Sequence, residues 1–299
     1  MPSLSPQSLI ELTIPPREAD IGGLTVRRLL PFVKRRMLGP FIFLDHMGPA
    51  EFGAGEGVDV RPHPHIGLAT VTYLFAGEII HKDTLGTDLP ITPGAVNWMA
   101  SGSGISHSER TGADERGHLH AVHGLQSWVA LPKEFEEQRP EFFHHSAQTI
   151  PHLDLRGVTL RVIAGTAYGM TSPTQIHSPL FYVDVHMQPG ATLDVPSEYS
   201  ERGAYIIQGR VRINHDPVEP HTLPVFLPEG KIQIEAETQA HLLLLGGEPL
   251  PEKRFIWWNF VSTSQERIEQ AKADWVAGRF GRIPGDEVEF VPLPQDRRS

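Results

Sequence analysis

The chain has 299 residues, 39% apolar and 21% charged, which suits one large or two medium globular domains and excludes wholesale disorder. A formal net charge of −10 disfavours direct binding to a nucleic-acid backbone, and the absence of cysteine excludes disulfides and thiolate metal sites. No run approaches the roughly 20 apolar residues that span a bilayer. The opening MPSLSPQSLIELTIPP has neither the basic start nor the apolar core of a secretory signal, so a cytoplasmic protein without membrane contact is expected.

The 28 glycines and 27 prolines are dispersed rather than clustered, as a chain of many short strands and turns requires, and the expected class is all-β. In chain order, short apolar or alternating segments fall at 24–29, 67–75, 95–100, 125–131, 159–164, 180–187, 203–207, 211–213 and 241–245. They are rich in Val, Ile, Leu, Phe and Tyr and sustain no 3.6-residue period, which points to the strands of a sandwich or barrel. A helical turn at 134–139 is expected to stop at Pro140. The one full helix begins after Ser264, with Ile268, Ala271, Trp275 and Val276 on one face, and ends at Gly278 and Gly281.

An internal repeat is visible. VTYLFAGEIIHKD at 71–83 and AYIIQGRVRINHD at 204–216 each read as a strand, a turn glycine (Gly77, Gly209) and a return strand ending in Asp. Two similar β units are therefore expected, at 1–150 and 151–299, the second ending in the helix and tail.

Chemistry concentrates in the first unit. In RPHPH, His63 and His65 are two apart, so on a strand both point to one face. Later in the chain His107 and Glu109 repeat the arrangement with a carboxylate. Together they offer four N/O ligands, a set that suits Fe, Mn, Co, Ni, Cu or Zn. Sixteen histidines produce chance pairs as well, such as His118 with His120 and His144 with His145. His118 and His120 follow a polar stretch and read as loop, whereas His123 is a candidate hydrogen-bond partner behind the ligands. His81 and Asp83 either support the ligands or face solvent. Trp98, Met99 and Phe43 read as core or pocket wall, and Trp257-Trp258 as an anchor for the C-terminal segment. Arg27, Arg28, Lys34, Arg35 and Arg36 read as a solvated basic face.

The stretch RPHPHIGLATVTYLFAGEIIHKDTLGTDLPITPGAVNWMASGSGISHSER at 61–110 resembles the signature of the pirin family, within the cupin superfamily. The segments at 39–46 and 124–132, and RFIWWNFVSTSQERIEQAKADW at 254–275, resemble other parts of that family. The resemblance implies a bicupin, two jelly-roll-like β-barrels face to face, with metal in the N-terminal barrel only. It places the family's three-His, one-Glu ligand set on His63, His65, His107 and Glu109. Other cupins carry the Glu shortly after His-x-His, where this chain has Ala69 and Thr70, so Glu109 supplies it. Val195 and Ser197 stand where a second His-x-His would lie, so no second metal is expected, and His241 reads as a lone structural histidine.

The same resemblance implies a metal-dependent dioxygenase similar to quercetin 2,3-dioxygenase. It would hold one divalent transition metal, Fe2+ first, with Mn, Ni, Co, Cu or Zn as alternatives. Its substrate would be a small aromatic flavonol, opened with release of carbon monoxide, and Glu109 would be the catalytic proton acceptor. The alternative is an iron-dependent regulatory protein that binds a transcription factor or metabolic enzyme without turnover. A closed structural Zn site is the third reading. A monomer is expected.

Overall fold

A computed structural model describes residues 8–295. Residues 1–7, part of the stretch read above for targeting signals, lie outside the described residues. Among the described residues no helix is long and apolar enough to cross a membrane.

The structure is mostly strand, in two compact units that each carry one large and one four-stranded sheet, the first also a two-stranded sheet of Phe255–Trp257 and Phe260–Ser262. The first unit comprises residues 18–27, 43–147 and 250–295. Its small sheet runs Asp59–His65, Ile105–Arg110, Ile79–Asp83, Asp88–Ile91, antiparallel throughout. Its large sheet includes Glu141–His145, Val96–Ala100, Leu68–Ala76, His120–Ala130 and Phe41–Phe52, adjacent in that order. Leu24, Val26, Met47, Leu74, Ile79 and Val122 form part of the apolar core of this unit.

The second unit comprises residues 8–17, 28–42 and 148–249. Its large sheet includes Glu201–Gln208, Ala240–Gly247, Leu180–Met187 and Val158–Ala167, adjacent in that order. The small sheet runs Thr192–Asp194, Gln233–Ala236, Val211–Ile213, Asp216–Val218. Its apolar core includes Val162, Phe181, Val183, Ile206, Leu242 and Leu244.

The units are not the contiguous halves expected from sequence. The main passage between them falls between Ala147 and Gln148, but the ends of the chain exchange. Strand Ile10–Ile14 belongs to the second unit because it pairs with Leu223–Phe226 at the edge of that unit's large sheet. The C-terminal helix belongs to the first unit because its apolar stripe, Ile268 and Ala271, packs on Ile66 and Phe260. Trp257 and Trp258 join the same cluster.

The helix spans Gln265–Val276, and the Ser264 side chain caps it by accepting the Arg267 N–H at 3.2 Å. Trp275 is half-buried and donates its Nε1–H to the Val291 carbonyl at 2.9 Å. Val276, expected on the buried face, is 76% exposed. One step of about 100° beyond Trp275 carries it off a stripe that is narrow because the helix touches a single aromatic cluster. The turn expected at 134–139 is a short 3-10 segment, Lys133–Phe135.

The two repeat hairpins turn at Gly77 (φ 82°) and Gly209 (φ 86°), a left-handed conformation that glycine adopts without penalty. In each, a Cβ would collide with a carbonyl, of Ala121 at Gly77 and of Gln239 at Gly209. Each hairpin thus sits tightly against the start of the long strand that follows in its own sheet.

Candidate metal centre

Strands Asp59–His65 and Ile105–Arg110 are antiparallel neighbours, with His63 opposite His107 and His65 opposite Ile105. The register brings three imidazoles onto one face. Their ring centroids are 5.0 Å (His63–His65), 4.4 Å (His63–His107) and 5.0 Å (His65–His107) apart. One ring nitrogen from each lies within 4.8 Å of the others. A register shift follows His107, so Glu109 stands opposite Val60 on one side and opposite His81 on the other. Its carboxylate forms a second group of potential ligands with His81 and His107. The four residues singled out by spacing thus share one interior, with His107 common to both groups.

Hydrogen bonds set which nitrogen of each ring is available. His63 Nδ1 lies 2.9 Å from the Arg61 carbonyl, so Nδ1 carries the proton and Nε2 keeps its lone pair. Behind His107 runs a relay. His107 Nδ1 is 3.4 Å from His81 Nδ1, and His81 Nε2 is 3.1 Å from Asp83 Oδ2. Asp83 Oδ1 accepts the N–H groups of Leu85 at 2.9 Å and Thr87 at 3.0 Å. With Asp83 as acceptor, His81 donates from Nε2 and accepts at Nδ1, so His107 donates from Nδ1 and leaves Nε2 free. His81 and Asp83 therefore support the ligands rather than face solvent, and both are buried.

Burial dominates the electrostatics. It lowers the pKa of His63 to about 4, against a smaller raising contribution from the Arg61 carbonyl and a further lowering by His81. Burial and then the neighbouring His63 depress His65 well below the ordinary histidine value, with a small opposing contribution from the Asn259 backbone. Burial and the adjacent His63, His65 and His81 do the same for His107. All three rings are neutral near pH 7, the form that ligates metals. Burial raises the Glu109 carboxyl, opposed by His81, Thr72 and Gln126. Burial also works to raise Asp83, but the contacts from His81 and Thr87 outweigh it and hold that carboxylate below its ordinary value.

The facing wall comes from the large sheet. Thr72 and Gln126 are cross-strand partners. Thr72 Oγ1 lies 3.0 Å from Glu109 Oε1 and 2.7 Å from Gln126 Oε1, so its single hydroxyl proton serves one acceptor at a time. Trp128, two residues beyond Gln126, meets the His65 ring edge-on at 5.1 Å and stacks on Phe43 at 4.0 Å. Phe142 stacks on His81 at 4.6 Å. Phe43 is a wall residue, as expected. Thr72, Gln126, Trp128 and Phe142 were not singled out in the sequence, although the alternation within 125–131 places Gln126 and Trp128 on one face.

Other sequence expectations change. His123 does not back the ligands. Its strand neighbours Val122 and Gln126 face inward, so His123 faces outward, and its Nε2 pairs with His46 Nε2 at 2.8 Å. His118 is exposed, as a loop residue is, but His120 is buried at the start of a strand and stacks on Phe52 at 5.4 Å. Arg35, placed on a solvated basic face, instead pairs with Glu201 at 3.0 Å and Glu11 at 3.4 Å. His241 is not alone: its Nε2 lies 2.7 Å from Asp184 Oδ1.

The donor set suits a metal ion. His107 Nε2 and both ring nitrogens of His65 are buried without a hydrogen-bond partner. An unmet buried polar atom costs about 1–3 kcal/mol, and one nitrogen from each of these two facing imidazoles is accounted for by an ion bound between them. Imidazole with carboxylate favours a first-row transition metal over Ca2+ or Mg2+.

Residues 23–129 match the profile of the family described as Pirin, and residues 182–281 that described as the Pirin C-terminal cupin domain. A pirin-like protein of Caulobacter vibrioides is 50% identical over 290 residues, covering 96% of this chain and all of that one. Human pirin is 32% identical, with 91% of this chain and 93% of the human protein covered. A crystal structure of quercetin 2,3-dioxygenase from Acinetobacter baumannii superposes with a TM-score of 0.88 at 34% identity, covering 96% of this chain and 97% of that one.

Proposed function

The chain belongs to the pirin family, and we propose that it is a mononuclear metal-dependent dioxygenase that opens flavonols such as quercetin with release of carbon monoxide. The observation that carries this reading is the trio of buried neutral imidazoles with unengaged donor nitrogens beside a carboxylate of raised pKa. The similarity to the Acinetobacter baumannii quercetin 2,3-dioxygenase supports the substrate class.

His63, His65, His107 and Glu109 would hold the ion. A divalent transition metal, Fe2+ first, supplies Lewis acidity toward a substrate enol oxygen when bound. Burial makes Glu109 a stronger base than an exposed carboxylate, so it can accept the proton of the flavonol hydroxyl. Thr72 and Gln126 fix the carboxylate, and the Asp83–His81 relay fixes His107. Trp128, backed by Phe43, offers a flat apolar surface to an aromatic ring. In the overall reaction both atoms of dioxygen enter the products, and one ring carbon leaves as carbon monoxide.

A regulatory reading has an observation of its own: none of the four candidate ligands is more than 8% exposed. A site this closed suits an ion whose oxidation state alters a surface that a transcription factor or metabolic enzyme recognises. Quercetin turnover under air by iron(II)-loaded protein, with carbon monoxide as the detected product, separates the two. The dioxygenase reading expects turnover in the wild type and its loss in His63→Ala and His107→Ala. Absence of turnover in protein that holds one metal per chain would leave the regulatory reading.

A further inference from the structure

The second barrel carries a group of potential ligands of its own, on the opposite side of its sheet from the barrel core. In strand Leu180–Met187, the side chains of Phe181, Val183, Val185 and Met187 enter the core. Period-two alternation therefore sends Asp184 and His186 together to the other face. In the neighbouring strand Ala240, Leu242 and Leu244 enter the core, which sends His241 to that same face. His186 and His241 are direct cross-strand partners, and their rings stack with centroids 4.0 Å apart. Three potential ligands from two adjacent strands thus converge without any loop.

The donor atoms are spaced for an ion. Asp184 Oδ1 lies 2.7 Å from His241 Nε2 and 3.8 Å from His186 Nε2. Donors bonded to one ion at about 2.0–2.2 Å stand roughly 3–3.5 Å apart, so the three need only small side-chain rotations. Asp184 and His241 are buried and hold their places, whereas the His186 side chain is 54% exposed. The open side would leave coordination positions to water. Burial, then His241, lowers the pKa of His186, against a raising contribution from Asp184, which favours the neutral ring. One charge opposes the site: Arg161 is the cross-strand partner of Asp184 and lowers His186 further. A site of two imidazoles and one carboxylate still selects a borderline divalent ion over Ca2+ or Mg2+.

We propose that Asp184, His186 and His241 form a second, solvent-open site for a divalent transition ion such as Zn2+, Cu2+ or Ni2+. It is independent of the dioxygenase reading, because it shares no residue with the first barrel. It also differs from the expectation that the second barrel binds no metal. That expectation concerned a His-x-His pair at Val195 and Ser197, and this site lies on the sheet's other face.

The test is a titration of the full-length protein, its interior site filled as isolated, with Zn2+ against a chromophoric competitor. The wild type should take up one further equivalent at micromolar concentration. His186→Ala, at a position exposed enough not to disturb folding, should bind that equivalent at least tenfold more weakly. The same Zn2+ addition should raise the thermal midpoint of the wild type more than that of His186→Ala, since an ion bound only by the folded state stabilises it. Wild type and His186→Ala binding Zn2+ alike, or no further equivalent in the wild type, would overturn the proposal. His63→Ala should retain the second equivalent; its loss there would also count against the site.

Discussion

The two barrels build one hairpin around different interiors. Counting from the turn glycines, Thr72, Leu74, Ile79 and His81 of the first barrel fall level with Ala204, Ile206, Val211 and Ile213 of the second. The apolar pair Leu74 and Ile79 stays apolar and sits in the core in both units. The positions that touch the metal centre, Thr72 and His81, become aliphatic core in the second barrel. The hairpin and its glycine therefore belong to the scaffold, and within it two positions, Thr72 and His81, distinguish the barrel with the candidate site from the other. A barrel lined by Val, Ile and Leu gains stability from close packing. The first barrel gives up part of that packing to seat imidazoles and a carboxylate.

Four measurements sharpen or break this contrast, and they run from the largest effect to the smallest. Glu109→Gln keeps the volume of the side chain but removes the base. Quercetin turnover by metal-loaded protein should fall by about 10²–10⁴-fold, with metal content per chain reduced far less. A fall confined to KM would remove Glu109 from proton transfer.

In the second barrel the corresponding lesion is structural. Leu244→Ala in its buried core should cost about 2–5 kcal/mol in urea unfolding and leave metal content at the first barrel unchanged. Loss of metal on that substitution would show that the barrels are not independent in this respect.

Acid should act on the first barrel through its histidines. His63 takes up a proton at about pH 4 when folded, against 6.5 when unfolded. Between those values the unfolded chain binds more protons, so stability falls as pH is lowered. The contribution from His63 alone is about 3 kcal/mol, fully lost below its folded pKa. His65 and His107 act in the same sense and Glu109 in the opposite one. Metal-free protein should show this decline in its urea midpoint, and His63→Ala should flatten it.

The smallest effect concerns the relay. His81→Leu removes the acceptor facing His107 Nδ1 and should weaken metal binding by about 10–100-fold. His81→Asn restores an acceptor near that position and should recover part of the loss. Competition with a chelator reads both, and equal affinities in wild type and His81→Leu would show that the relay does not orient His107.

The sequence makes some of this visible and hides the rest for a physical reason. His63 with His65, and His107 with Glu109, are legible because alternation along a strand converts a spacing of two into a shared direction. The short strands, the turn glycines and the capped helix are legible for the same local reason. Thr72 reaches Glu109 across 37 residues and Gln126 across 54, contacts fixed by the register of strands that local sequence does not encode. The Asp184–His186–His241 group shows both cases at once. Asp184 and His186 are a visible i, i+2 pair, but only the pairing of two distant strands adds His241. The exchange of chain ends is equally invisible, because the partner of Ile10–Ile14 lies two hundred residues away.

That exchange has a consequence for how the protein is made. Residues leave the ribosome in order, roughly 5–20 per second. The second barrel has all its strands once residue 249 has emerged, whereas the barrel with the candidate metal centre waits for residues 250–295. Those late residues include Phe260, bridged to Ile66, and Val291, whose N–H bonds the Pro62 carbonyl beside His63. The first barrel is thus the last to be completed during synthesis, and a chain broken off near residue 250 would contain the whole second barrel but only an unfinished first one.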